Sequence, residues 1–142
     1  MVDQASSTRQ LHCVVVTPER ALLDQPAEFI VLPMYDGELG VLPGRAPLIG
    51  RLGPGELRTR RGEKTKRYYV DGGFAQVRAN VVTVLTPRAV PAGEINVAAA
   101  ETSLAEAQKP PQKGETIEGK LKAQDKARAQ IRVARKKDTP TS

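Results

Sequence analysis

The stretch Asp36–Leu57 reads DGELGVLPGRAPLIGRLGPGEL, and its punctuation decides what kind of fold the chain can adopt. Six glycines (Gly37, Gly40, Gly44, Gly50, Gly53, Gly55) and three prolines (Pro43, Pro47, Pro54) are set between short apolar pieces. Glycine supplies backbone conformations with positive φ, whereas proline fixes φ and removes a hydrogen-bond donor. A segment so interrupted cannot be a helix. Val41, Leu42, Leu48, Ile49 and Leu52 also make it too apolar for a solvated linker. It reads as short strands joined by tight, fixed turns. Such a segment presents a surface of defined shape and points to a protein that works by contact.

The flanks extend the same pattern. Upstream, Leu11–Val16 (LHCVVV) is a β-branched strand ending at Thr17-Pro18, and Ala21–Leu23 is a brief apolar piece before a break at Asp24–Pro26. Glu28–Leu32 is the next strand, stopped by Pro33, and Asp36-Gly37 is a hairpin signal. Downstream, Glu56–Arg60 alternates, Arg61–Lys64 (RGEK) is a charged turn, and Arg67–Val70 returns. Asp71-Gly72-Gly73 reads as a turn, followed by Phe74–Arg78, a turn at Ala79-Asn80, and Val81–Leu85. Strands recurring at intervals of roughly 8–12 residues are the signature of an antiparallel sandwich or barrel. Residues 10–88 are assigned to one β-domain, preceded by a disordered stretch, 1–9.

At Pro87 the character changes. Residues 89–93 form a linker, with Pro91-Ala92-Gly93 at its end, and 94–137 form a two-helix hairpin before a disordered tail, 138–142. Glu94–Lys109 is rich in Ala and Glu, strong helix formers, and Val97, Ala100, Leu104 and Ala107 make one apolar stripe. Pro110–Gly114 (PPQKG) breaks it, and Thr116 is placed to cap a second helix. On that helix Ile117, Leu121, Ala123, Ala127, Ile131 and Ala134 fall within an arc of roughly 160°. Lys120, Gln124 and Arg128 intrude on the same arc, so docking of this face on the β-domain is expected to be weak and the hairpin able to change partners.

Composition bounds the function classes. The 142 residues carry a net charge of +6, 39% apolar residues, 4% aromatics and no Trp, which allows one small aliphatic core. Residues 116–137 hold eight bases against two acids, a local balance of +6, so the basic character belongs to the second helix. No run approaches the ~18 apolar residues of a membrane span, and the N-terminal residues have neither a signal-peptide core nor a transit-peptide composition. The single cysteine, Cys13, rules out an internal disulfide.

Few residues suit catalysis. His12 and Cys13 are adjacent on a strand, so they point to opposite faces and cannot form a dyad. One His and one Cys do not make a zinc site, and no cofactor or metal is expected. Asp36, Glu38 and Asp71 flank glycines, where carboxylates serve turns far more often than acid–base chemistry. Neither phosphate-binding glycine pattern occurs. The basic helix can be a solvated face, or can meet a phosphate backbone or an acidic protein surface. The absence of aromatics on it favours the acidic protein. A β-domain that binds RNA through a basic helical arm is the alternative.

Taken together, Asp36–Leu48 (DGELGVLPGRAPL), Leu52–Leu57 (LGPGEL), Tyr69–Val77 (YVDGGFAQV) and Asn80–Leu85 (NVVTVL) resemble, in order and spacing, the epsilon subunit of bacterial F-type ATP synthase. The mitochondrial counterpart is called delta. The resemblance covers about residues 10–109, and the basic helix matches in position and character. It implies a β-sandwich of about ten short antiparallel strands followed by a C-terminal helical hairpin, α+β in class. The implied function is that of a non-catalytic central-stalk subunit with no active site of its own. It would bind the gamma subunit and the c-ring, couple ion-driven rotation to ATP synthesis on other subunits, and lie peripherally on the cytoplasmic side of the bacterial inner membrane.

Residue by residue, the resemblance places Glu38 and Arg45 at the c-ring, Glu38 near its polar loops and Arg45 where the family's G-H-A-P motif has His. It gives Lys120, Lys122, Lys126, Arg128, Arg132 and Arg135 an inhibitory role against ATP hydrolysis, through an acidic segment of the beta (or alpha) subunit. Some members bind ATP through an I-D-x-x-R-A pattern. Here the positions read Ile95-Asn96-Val97-Ala98-Ala99-Ala100, with both charged groups gone. Arg128 and Arg132 remain as weak candidates for an ATP phosphate, and ATP binding is expected to be weak or absent.

Overall fold

The computed structural model describes residues 10–136, so the expectations of disorder for 1–9 and 138–142 fall outside the described residues. Eight strands come first: β1 (Leu11–Val16), β2 (Ala21–Ala27), β3 (Phe29–Met34), β4 (Gly37–Val41), β5 (Leu48–Arg61), β6 (Lys64–Arg78), β7 (Val81–Leu85) and β8 (Ala89–Pro91). A short 3-10 turn, Ala92–Glu94, leads to helices α1 (Val97–Ala107) and α2 (Ile117–Arg135).

The sheet runs β2-β1-β7-β6-β5-β3-β4, with β8 added to β6. It closes on itself because β5 and β6 are long enough to serve two layers. One layer holds β2, β1, β7, the second half of β6 and the first half of β5. The other holds β4, β3, the second half of β5, the first half of β6 and β8. Counted by layer there are ten strand segments, five on each side. β1 lies against β3 and β2 against β5 across the interior, without a ladder between them. All pairings are antiparallel except β1 with β7, which is parallel.

The corner of the sandwich is where two turn readings need correction. Asp71-Gly72-Gly73 and Leu52–Gly55 are not turns between short strands; they are bends inside β6 and β5. The pairing passes through both, from Leu52↔Gly73 to Pro54↔Asp71. Gly72 and Gly73 have φ of +82° and +108°, and a Cβ on Gly73 would overlap the Leu85 carbonyl oxygen. Only glycine lets the strand fold over its neighbour at that point.

Proline also stops less than expected. Pro26 lies inside β2, which is an edge strand and needs no inward donor there, so Asp24–Pro26 is strand and not a break. Pro33 lies inside β3, where the register with β5 breaks and no ladder donor is required. Residues 89–91, read as linker, form β8, because the open edge of β6 at Tyr68–Val70 takes up a third partner. The hairpin turns stand as read: Gly62 has φ +61°, and Ala79 and Asn80 have φ of +51° and +65°, as a primed turn requires.

The interior is aliphatic. Leu11, Cys13, Val15, Ile30, Leu32, Val41, Leu57, Val70, Val77, Val82 and Val84 are buried in one cluster drawn from both layers. Thr116 caps α2, its hydroxyl accepting from the Gly119 N–H at 3.0 Å. Asn96 caps α1, its side-chain oxygen accepting from the Ala99 N–H at 3.0 Å.

Candidate functional site

Strand alternation sends Leu48, Ala75, Val77, Val82 and Val84 inward and their neighbours outward. On this outer face Phe74 pairs with Leu85, which pairs with Val16, while Arg51 flanks Phe74 from β5. Phe74 and Leu85 are each about half exposed, Ile49 is 75% exposed, and Val81 continues the face along β7. Single exposed apolar residues are ordinary, but Phe74, Leu85 and Val16 adjoin in one row across β6, β7 and β1, with Ile49 and Val81 exposed on the same face. Sequence reading missed it, since period-2 apolar positions do not say which side meets water. The signal was the doubly apolar runs Leu48-Ile49 and Val81-Val82.

The structure does not bring Glu38 and Arg45 together. Both are exposed, but Glu38 starts β4 and Arg45 lies beyond its other end, in the connection to β5. There the Gly44 N–H donates to the Asn80 side-chain oxygen at 2.8 Å, tying this connection to the β6–β7 turn. Glu38 instead lines a groove of about 450 Å³ with Pro33, Met34, Glu56, Arg132 and Lys136, between the sandwich and the end of α2. At the adjacent hairpin tip Tyr35 is 70% exposed, with Arg51 stacked 4.9 Å from its ring centre.

The helices pack differently from the expectation. The apolar arc of α2 faces α1 and not the sheet. From that arc Gln124 donates to the Ala107 carbonyl (3.0 Å), Lys120 to the Glu106 carbonyl (2.9 Å), and Ala127 is buried. Ile117 and Leu121 stay largely exposed near the start of the helix. The sandwich is met by the opposite side, where Ala129 and Val133 are buried with Tyr69 of β6, and Ala92 and Ile95 close the cluster. Alanine and valine spaced by four were the available signal; arginines and lysines around them hid it.

Charge completes this contact. Glu56 and Arg67 are both 7% exposed in their side chains, and Arg67 Nε donates to Glu56 Oε2 at 2.6 Å. Arg67 also donates to the Val133 carbonyl (2.6 Å) and the Lys136 carbonyl (3.0 Å), at the end of α2. Lys136 Nζ and Arg58 reach Glu56 Oε1 at 3.1 and 2.8 Å. Burial works to raise the Glu56 carboxyl, but the donors Arg67, Lys136 and Arg58 outweigh it and hold it below the usual carboxylate range. Further along, Tyr69 donates its hydroxyl to Asp71 (2.9 Å), and Lys126 of α2 lies 3.5 Å from the same carboxylate. Burial first, then Asp71, pushes the Tyr69 phenol up.

The six basic-helix candidates therefore divide. Lys126 faces Asp71, Lys120 lies 3.4 Å from Glu115, and Arg135 pairs with Glu101 of α1. Lys122, Arg128 and Arg132 are exposed and form no ion pair among the described residues. Arg128 and Arg132 sit one turn apart on α2. At the positions that the resemblance aligns with an ATP-binding pattern, Asn96 is engaged as the cap of α1 and Ala99 exposes only a methyl. On β1, Cys13 is buried and His12 faces outward against Asp24, the opposite orientations expected of strand neighbours.

Residues 10–92, which include all eight strands, match the family model of the ATP synthase delta/epsilon chain β-sandwich domain. The chain belongs to the ATP synthase delta/epsilon family. The ATP synthase epsilon chain of Rhodopirellula baltica is 52% identical over 126 residues, covering 88% of this chain and 98% of the relative. The epsilon chain of a Synechococcus species is 41% identical over 124 residues, covering 84% and 90% respectively. A chain in the Euglena gracilis mitochondrial ATP synthase OSCP/F1/c-ring structure superposes with a TM-score of 0.73 at 30% identity, over 85% of this chain and 81% of that one. Since the Rhodopirellula alignment covers nearly all of that relative, the delta/epsilon likeness extends beyond the β-sandwich. Among the described residues no helix is long and apolar enough to cross a membrane.

Proposed function

We propose that this chain is a rotor subunit of an F-type ATP synthase, joining a c-ring to gamma and through it to catalytic sites on other subunits. The observation that carries the reading is the apolar outer face made by Ile49, Phe74, Val81 and Leu85 on a sandwich of the delta/epsilon family. That face supports docking of gamma, and Arg51 at its margin gives it register. Glu38 and Arg45, exposed at the two ends of β4, are the candidates for polar contact with the c-ring. The chain then resides at the cytoplasmic side of the bacterial inner membrane through the complex alone. It contributes no catalytic group of its own. In the hairpin, Lys122, Arg128 and Arg132 are the bases free to meet an acidic segment of beta or alpha and slow ATP hydrolysis. The RNA-binding alternative is set aside, because the exposed aromatics Phe74 and Tyr35 lie on the sandwich and not along the basic helix.

The test uses full-length protein with the matching gamma and catalytic sector. Phe74→Glu with Leu85→Glu puts two carboxylates on the outer face, where they reach water in the free chain and are stranded in a complex. Co-purification with gamma should fall at least a hundredfold while the thermal melt of the free chain shifts little. Unchanged binding would remove the face from the assignment. Lys122→Ala, Arg128→Ala and Arg132→Ala together should bind gamma normally and relieve any slowing of hydrolysis.

A further inference from the structure

The C-terminal end of α2 is held by a side chain from another part of the fold. The last carbonyls of a helix lack intrahelical donors and carry the negative end of its dipole. Here a single guanidinium answers both needs: Arg67 of β6 donates one nitrogen to the Val133 carbonyl and another to the Lys136 carbonyl. Its Nε–H is committed to Glu56 of β5, the partner that fixes the fork at the right height. Glu56 in turn receives Lys136, so the helix end is pinned both by its backbone and by its own side chain.

We propose that Arg67, oriented by Glu56, is the latch that keeps the helical hairpin docked on the sandwich, and that its release frees α2 as a unit. The apolar part of the contact is small for a 19-residue helix, with only Ala129 and Val133 buried against Tyr69. The remaining polar links to the sandwich are Lys126 on Asp71, a partly exposed pair of little weight, and the Gln130 side chain on the Tyr69 hydroxyl. The other polar contacts of α2, those of Lys120, Gln124 and Arg135, go to α1 and the interhelical loop and travel with the hairpin. The backbone of α2 is thus held to the sandwich at Arg67, and the largest group of polar contacts between the two converges there and on Glu56. Lysine could still pair with Glu56 but has no fork to span two carbonyls. This inference concerns the isolated chain and stands whether or not the rotor assignment holds.

Amide hydrogen exchange of the full-length chain tests it, comparing wild type, Arg67→Lys and Arg67→Ala. Exchange across α2 should quicken about tenfold or more in the alanine variant and by less in the lysine variant, while β1 and β7 keep their protection. If α2 exchanges at the wild-type rate in both variants, the latch is refuted. If α2, β1 and β7 lose protection together in both, Arg67 is a support of the sandwich itself and the latch is equally refuted. Should Arg67→Ala fail to fold, Arg67→Lys alone decides, by whether α2 opens ahead of β1.

Discussion

In the sandwich, two five-segment layers interleave Leu11, Val15, Ile30, Leu32, Leu57, Val82 and Val84 into one buried cluster, with no aromatic ring at its centre. In the hairpin, α2 meets that sandwich through an alanine, a valine and a tyrosine, and the rest is charge and backbone capping. Fully burying one Val or Leu side chain is worth about 1.5–3 kcal/mol. The sandwich makes such a gain more than ten times over, whereas the α2 contact makes it about twice, at Val133 and at the Tyr69 ring. The same chain therefore contains a part whose shape is fixed by packing and a part whose position rests on a few directional bonds.

The sharpest way to break the comparison is to attack the corner the sandwich turns on. Gly73→Val places a branched side chain at φ +108° and against the Leu85 carbonyl. The expected loss is more than about 4 kcal/mol, which leaves little folded protein. Gly93→Val is the control, since nothing lies within 4 Å of a Cβ there. Its urea midpoint should move by no more than about 0.5 kcal/mol equivalent. Equal effects at the two sites would mean that the corner is not special.

That corner also marks how far the sequence could be read. Strands β1 and β7 were legible to the residue, because β-branched runs bounded by proline or a primed turn leave no other conformation. The spacing of those runs pointed to an antiparallel sandwich or barrel, and the count of about ten segments came from the family resemblance. What failed was the assumption that glycine and proline always end a strand. At Gly72-Gly73 the ladder continues through the bend, and Pro26 and Pro33 sit where no donor is asked of them. The hairpin face failed for a different reason. Helical periodicity finds the widest apolar arc, but α2 has two neighbours, and the wider arc went to α1. Glu38 and Arg45 were close in sequence, yet Glu38 lies within β4 and Arg45 beyond its far end. Glu56 and Arg67 lie eleven residues apart on paired strands, and nothing short of the β5–β6 register unites them.

A second, smaller perturbation tests the independence of the two parts. Val133→Asp puts a carboxylate into the contact with Tyr69, at a cost of about 3 kcal/mol to the docked position. Limited proteolysis should then cut within α2 or the Pro110–Gly114 loop, while the urea midpoint of the sandwich stays within the control range. A sandwich that melts along with the hairpin would make the two regions one cooperative unit.

The mildest perturbation is pH, and it should separate the regions by sign. Glu56 is held below the ordinary carboxylate range by Arg67, Lys136 and Arg58 against the cost of its burial. A group whose folded value is depressed contributes its full stability above the unfolded value, about 4.3 for Glu, and loses it as pH falls through the folded value. Acidification below about pH 4 should therefore loosen the end of α2 before the core of the sandwich, seen as faster exchange in α2 than in β7. Glu56→Gln should flatten that acid limb. On the alkaline side burial pushes Cys13 up from 9.0 to about 12, so its contribution is whole below about pH 9 and is lost as pH rises toward 12. Cys13 lies at the centre of the sandwich, and Tyr69, also raised, lies in the hairpin contact. Base should accordingly loosen both regions together, whereas mild acid should act on the hairpin first. An acid limb that Glu56→Gln leaves in place would transfer the docking from the Glu56 cluster to the small apolar contact alone.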